Sequence, residues 1–268
     1  MVWVVVGAGN PLRHIPVAYV NRGLIMVCVV AFVLGPLPDK YAFLPAYLFG
    51  TPEMPGLMSL GDGLLGLAGH AFIHADPIHI VTNMVALWIF GDNVEDALGH
   101  ARYLLFFFLC AAAGALAEGA MTVEPLRPLV GASGAISGVM GAYLLLHPHA
   151  RILVLLFLRI PVLLPASVLV GGDLAANVAM VLLRPHDAGM DDVAWWAHLG
   201  GFAAGMVLVT VMRRAGVPLF HPPGAYPPVP FPRLQRIVPD FFAKPGPGRA
   251  AGKAVVYLGI VALLIWTL

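Results

Sequence analysis

Charge is what this chain most conspicuously lacks. Only 11% of its 268 residues are Asp, Glu, Lys or Arg, against 60% hydrophobic residues and a mean hydropathy of +0.87. A globule of this size with so little charge cannot solvate its own surface, which excludes a soluble fold and leaves a polytopic, all-α membrane protein. A formal net charge of +1, with no basic run of five residues, excludes a nucleic-acid partner. Cysteine is nearly absent too. Cys28 and Cys110 both fall inside apolar segments, where small core residues are expected rather than a disulfide or a metal pair. No HExxH pattern occurs, and although His70, His74, Asp76 and His79 lie close in sequence, Asp76 and Pro77 already read as a helix start. No metal or other cofactor is expected. The paired broken helices of a transporter are not visible in two related halves. Met1 to Arg22 has no cleavage site behind a short apolar core and does not read as a cleaved signal.

What is present is a series of apolar runs. The first span is expected from about Val17 or Gly23 to Gly35, followed by a long interfacial loop to Gly69. Asp76 as N-cap and Pro77 at the first helical position start a second span, expected to stop at Gly91 before a polar turn from Asp92 to His100. Further spans are expected over about 103–121, 132–146, somewhere in 152–183, and 194–212. Pro161 and Pro165 leave the start of the fifth open. Asp173 is an unexpected charge within that fifth span. The chain then divides into a six-span domain (1–216), a proline-rich linker (217–252) and a last apolar run (253–268) expected to form a seventh span.

With a cytoplasmic N-terminus, twelve Lys and Arg fall on the cytoplasmic side and only Lys40, Arg127 and Arg184 on the other. That orientation carries Ser133, His79 and His198 toward the outer leaflet together.

The stretch GASGAISGVMGAY, Gly131 to Tyr143, places Ser133 at the start of a helix whose Gly134, Gly138 and Gly141 share one face. AHLGGFAAG places His198 above Gly201 and Gly205 in the same manner. Small residues at such spacing let two membrane helices approach closely, as a serine and a histidine on different helices require if they are to react together. His79 and Asn83 lie one turn apart and can both donate to a developing oxyanion, to which the Ser133 backbone N–H at a helix start adds a third donor. No acid is placed to orient His198, so a Ser133–His198 dyad is expected rather than a triad.

These motifs, with HADPIHIVTNMVALWIFGDNVED across the second span, resemble the rhomboid family of intramembrane serine proteases over about Arg13 to Arg214. The resemblance to bacterial members implies a bacterial inner-membrane protein that cleaves transmembrane protein substrates within the lipid bilayer. It assigns Ser133 as nucleophile, His198 as general base, and His79 and Asn83 to the oxyanion hole. It gives His74 and Glu95 structural roles, with Gly131, Gly134, Gly138, Gly201 and Gly205 shaping the site. Two departures stand out. The Trp-Arg pair often found in the first loop is missing, and Ile136 and Ser137 occupy the place where some members carry a tyrosine against the histidine. The alternative is a proteolytically inactive relative that binds membrane-protein clients.

Overall fold

The computed structural model describes residues 3–8, 10–35, 41–51, 59–156, 160–183 and 193–222. The bulk of the proline-rich linker and the last apolar run lie outside the described residues. Eight helices and three strands appear in the order β1 (Trp3–Ala8), α1 (Tyr19–Leu34), α2 (Ala46–Phe49), α3 (Leu60–Gly69), α4 (Pro77–Leu98), α5 (His100–Met121), α6 (Ser133–Leu146), β2 (Arg151–Leu156), β3 (Ile160–Pro165), α7 (Ala166–Leu183) and α8 (Trp195–Met212). A 3-10 turn, His70–Phe72, continues α3.

Among the described residues three helices, α5, α7 and α8, are long and apolar enough to cross a membrane. A fourth crossing follows if the pair from Leu60 to Phe72 and from Pro77 to Leu98, bent by 82°, is one span. Helices α1 and α6, of 16 and 14 residues, are apolar but shorter, so length and composition support three or four crossings where the sequence suggested six. Large apolar side chains such as Val33, Leu183, Val207 and Val211 stand exposed on α1, α7 and α8, a surface that suits lipid and not water. The chain is a multi-pass membrane protein.

Helix α6 is short because it is the centre of the bundle. Ten of its fourteen residues are buried, packed against α4, α5 and α8. Its contact with α8 is backbone on backbone. A Cβ on Gly201 would collide with the Gly134 carbonyl, and one on Gly205 with the Gly138 carbonyl. The Ala197 carbonyl oxygen of α8 completes a three-helix junction, 2.7 Å from where a Cβ on Gly114 of α5 would sit.

The second span does not stop at Gly91. Helix α4 runs on to Leu98 because the bare Cα of Gly91 accommodates Asn21, which donates from Nδ2 to the Leu87 carbonyl (3.0 Å) and accepts from the Tyr103 hydroxyl (2.8 Å). The stretch read as a polar turn is helical because its carboxylates serve other segments. Helix α1 begins after Ala18, which has no capping side chain, and the fully buried Glu95 accepts from the N–H groups of Val20 (3.1 Å) and Asn21 (2.7 Å) and pairs with His100 Nδ1 at 2.5 Å. Asp96 does the same for the N-terminal approach, accepting from the N–H groups of Arg13, His14 and Ile15 at 3.0, 2.6 and 2.8 Å.

Residues 151–156 and 160–165 are not part of the fifth span. They form two antiparallel strands in register Arg151↔Pro165 through Leu156↔Ile160, and β1 pairs with β2 to give the order β1-β2-β3. Pro161 and Pro165 are tolerated because β3 is an edge strand whose outer side needs no donors. After α8 the chain returns to the end of α6, where the N–H groups of Phe220 and His221 donate to the carbonyls of Leu145 (2.6 Å) and Leu146 (3.0 Å). Those carbonyls are among the four that a helix leaves unbonded at its C-terminus.

The glycine seam predicts opposite signs at two positions. Gly205→Ala must push backbones apart and should lower stability by about 1–3 kcal/mol. Gly172→Ala in α7 meets nothing within 4 Å and should add about 0.5–1 kcal/mol through helix propensity. Thermal unfolding of the two variants in detergent reads both effects.

His147, just past α6, has its pKa pushed down from 6.5 to about 3, first by burial and then by His221 and Arg13 nearby. Between those values the unfolded chain binds a proton that the folded chain refuses, so stability should fall as pH drops from about 6.5 toward 3. Melting curves from pH 7 to pH 4 should show that decline, with a shallower slope for His147→Gln.

Candidate active site

Ser133 is the first residue of α6, reached through a loop that the first-loop segment holds in place. Phe43 and Leu129 exchange both backbone hydrogen bonds, at 3.1 and 2.8 Å, and the Gly131 N–H donates to the His70 carbonyl at 2.8 Å. Gly131 has φ +113°, a conformation that strains any side chain, and a Cβ there would lie 2.6 Å from both Cε1 and Nε2 of His79. The same point lies 3.8 Å from Ser133 Oγ. The edge of the His79 ring and the Ser133 hydroxyl therefore flank one glycine.

Helix α4 carries His79 and Asn83 one turn apart. Its start is fixed by the Asp76 carboxylate, which accepts from the N–H groups of Ile78 (2.7 Å) and His79 (2.9 Å), with Pro77 in the first turn. Asn83 is buried, and its Nδ2 has no hydrogen-bond partner among the described residues. A buried amide left unsatisfied costs about 1–3 kcal/mol. His74 packs edge-on against His79 with ring centres 5.2 Å apart, and its ring nitrogens have no well-formed hydrogen bond among the described residues.

His198 lies in the first turns of α8, one residue from the Ala197 carbonyl that packs on Gly134. Trp195, one turn earlier, presents its ring at 83° to the imidazole with centres 5.9 Å apart, so the aromatic neighbour that α6 does not supply comes from α8 itself. The Nδ1 of His198 is 2.8 Å from Oδ1 of Asn177 on α7. Helix α8 begins after Ala194, again without a capping side chain, and Glu118 of α5 accepts from the Ala197 N–H at 3.2 Å.

Ser133, His198, His79 and Asn83 all line one cavity of about 790 Å³, together with Ser137, Glu118 and Asp173. His74 stands behind His79. Glu95, Gly138 and Gly205 are not among its lining residues and act on helix placement instead. Asn177 and Glu118 were missed in the sequence. Asn177 follows Asp173 by one turn in VGGDLAAN, and that pairing of two polar residues in an apolar helix was the available signal.

A helical membrane protein with a serine, a histidine and amide donors lining one cavity is the class that fold and site define. The family to which it belongs follows from comparison: the Rhomboid domain model matches residues 62–215, and this chain is a member of the rhomboid family. It is 32% identical over 196 residues to Rhomboid protein 1, mitochondrial, of Saccharomyces cerevisiae, covering 72% of this chain and 53% of that protein. It is 30% identical over 161 residues to RHOMBOID-like protein 12, mitochondrial, of Arabidopsis thaliana, covering 54% and 45%. It is 26% identical over 199 residues to the human Presenilin-associated rhomboid-like protein, mitochondrial, covering 70% and 47%. The chain thus spans about half the length of these curated relatives. All three are mitochondrial by name, and the compartment of this chain is not given by the bacterial likeness of its motifs.

Replacing Glu118 by Ala removes the only side-chain acceptor described at the start of α8 and should cost about 1–2 kcal/mol, whereas Glu118→Gln keeps an acceptor and should cost less. Denaturation of both variants under identical detergent conditions tests the order.

Proposed function

We propose that this protein is an intramembrane serine endopeptidase that cleaves transmembrane segments of single-pass proteins through a Ser133–His198 dyad. The observation that carries this reading is the unsatisfied Nδ2 of Asn83, a buried donor held in the same cavity as a hydroxyl at a helix start and an imidazole. A fold that only needed to pack would lower its free energy by filling or pairing that amide.

In this reading α1, α4, α5, α6, α7 and α8 are the six crossing helices, and the cavity opens toward the outer face. A substrate helix unwinds near its end, because its carbonyls are otherwise engaged in hydrogen bonds, and enters between α4 and α7. Ser133 Oγ attacks the exposed carbonyl while His198 takes its proton. The oxyanion is held by the Ser133 N–H, at the positive end of α6, and by His79 and Asn83. His198 returns the proton to the departing amine, and water then hydrolyses the acyl-enzyme by the same steps.

A fluorophosphonate probe applied to the detergent-solubilised protein should label the wild type and leave Ser133→Ala and His198→Ala unlabelled. Cleavage of a transmembrane substrate in liposomes should be lost in the same two variants. Asn83→Ala should lower kcat by about 10²–10³-fold, the loss typical of one oxyanion donor. A folded wild type that neither labels nor cleaves would replace this reading with client binding without proteolysis.

A further inference from the structure

Helix α7 is the least embedded of the long helices. Of its eighteen residues only Ala166, Val170 and Asn177 are buried, and Asn177 is the one polar group among them. Burying an amide on a helix that could have presented leucine requires a partner on both sides of the group. Asn177 has them. Its Nδ2 donates to the Asp173 backbone carbonyl one turn earlier (2.8 Å) and lies 3.3 Å from Asp173 Oδ2, while its Oδ1 faces His198 Nδ1 at 2.8 Å.

That arrangement allows one orientation of the amide. Turning it over would set Oδ1 against two oxygens of Asp173 and leave three acceptors facing one another without a proton. With Oδ1 toward the histidine, only an Nδ1–H can bond it, so the proton of neutral His198 sits on Nδ1. Nε2 is then left with its lone pair on the far side of the ring.

We infer that Asn177 is a positioning residue of the site: through the Asp173–Asn177–His198 chain it holds His198 as the Nδ1–H tautomer with Nε2 free to accept the Ser133 proton. The assignment deepens the protease reading and rests on it for its catalytic meaning. The dyad remains Ser133 and His198, and α7, the helix beside which substrate would enter, supplies the group that orients the base. A shift of α7 away from α8 would break this bond, so entry and base orientation are coupled in one helix.

Two measurements on the full chain test it. The first is independent of proteolysis: ¹⁵N-histidine NMR of the solubilised protein, with the His198 signals identified by their loss in His198→Gln. The wild type should show His198 protonated at Nδ1 and unprotonated at Nε2, and Asn177→Ala should move protonation toward Nε2. A wild-type His198 protonated at Nε2, or one whose tautomer is unchanged by Asn177→Ala, overturns the inference.

The second is kinetic. Asn177→Ala should lower kcat and the fluorophosphonate labelling rate by about 10–100-fold, the loss typical when a group that orients a functional imidazole is removed, with KM within about twofold. Asn177→Asp keeps an acceptor in the same place and should restore most of the rate at high pH. Its carboxylate favours the imidazolium, so the acid limb of the pH profile should move to higher pH. The other titratable groups around the cavity, Asp76 and His79 of α4, Glu118 of α5, Arg127 and Asp173, are the same in both variants. Asn177→Ala with wild-type kcat in an active protein overturns the inference. A wild type inert to probe and substrate overturns the protease reading instead, and the tautomer still decides the Asn177 assignment.

Discussion

The contact on which the rest depends is the one between the backbones of α6 and α8. In lipid there is no hydrophobic drive to bring two apolar helices together, and close van der Waals contact must do so. Gly134 against Gly201 and Gly138 against Gly205 supply it over two successive turns, with the Ala197 carbonyl seated between Gly134 and Gly114 of α5. Because Ser133 precedes Gly134 and His198 follows Ala197, the seam that packs the bundle also sets the two residues on the wall of one cavity. A methyl group on either helix would separate both the backbones and the functional groups.

The second recurring device is a carboxylate lent by one helix to the start of another. Helices α1 and α8 begin after alanines, Ala18 and Ala194, which cannot cap. Glu95 bonds the first N–H groups of α1, and Glu118 bonds an N–H in the first turn of α8. In a low-dielectric surrounding an open helix start is expensive, and a carboxylate there gains both the hydrogen bonds and the positive end of the helix dipole. A cap supplied across helices does more than a local one, since it also fixes which helix stands beside which. Glu95 ties α1 to the end of α4, and Glu118 ties the His198 end of α8 to α5.

The buried amides divide by whether they are satisfied. Asn21 and Asn177 have partners for both oxygen and nitrogen and lock neighbouring helices in register. Asn83, in the cavity, has a donor left open. Asn10, near the N-terminus, also has a buried Nδ2 without a partner among the described residues, but of the two only Asn83 lines the cavity that Ser133 and His198 share.

Much of this was legible in the chain itself. Low charge and long apolar runs required a membrane bundle, Asp76-Pro77 marked the start of α4, and the glycine spacing around Ser133 and His198 foretold a close seam between their two helices. These are local properties, written in residue type and helical period. Other features were decided only by the tertiary structure. Gly91 ended a helix on propensity yet lies within one, because Asn21 and Tyr103 arrive from two other helices to occupy its bare face. The apolar run after α6, where Pro161 and Pro165 left the start of the fifth span open, forms strands because β1, some 145 residues earlier, is there to pair with it, and the span begins only at α7. The partners of Asn177 and Glu118 could not be read from the sequence, since an amide meets a histidine and a carboxylate caps a helix only when a partner remote in sequence is brought within 3 Å or so. Sequence determines which groups a helix carries and on which face; only packing decides what each face meets.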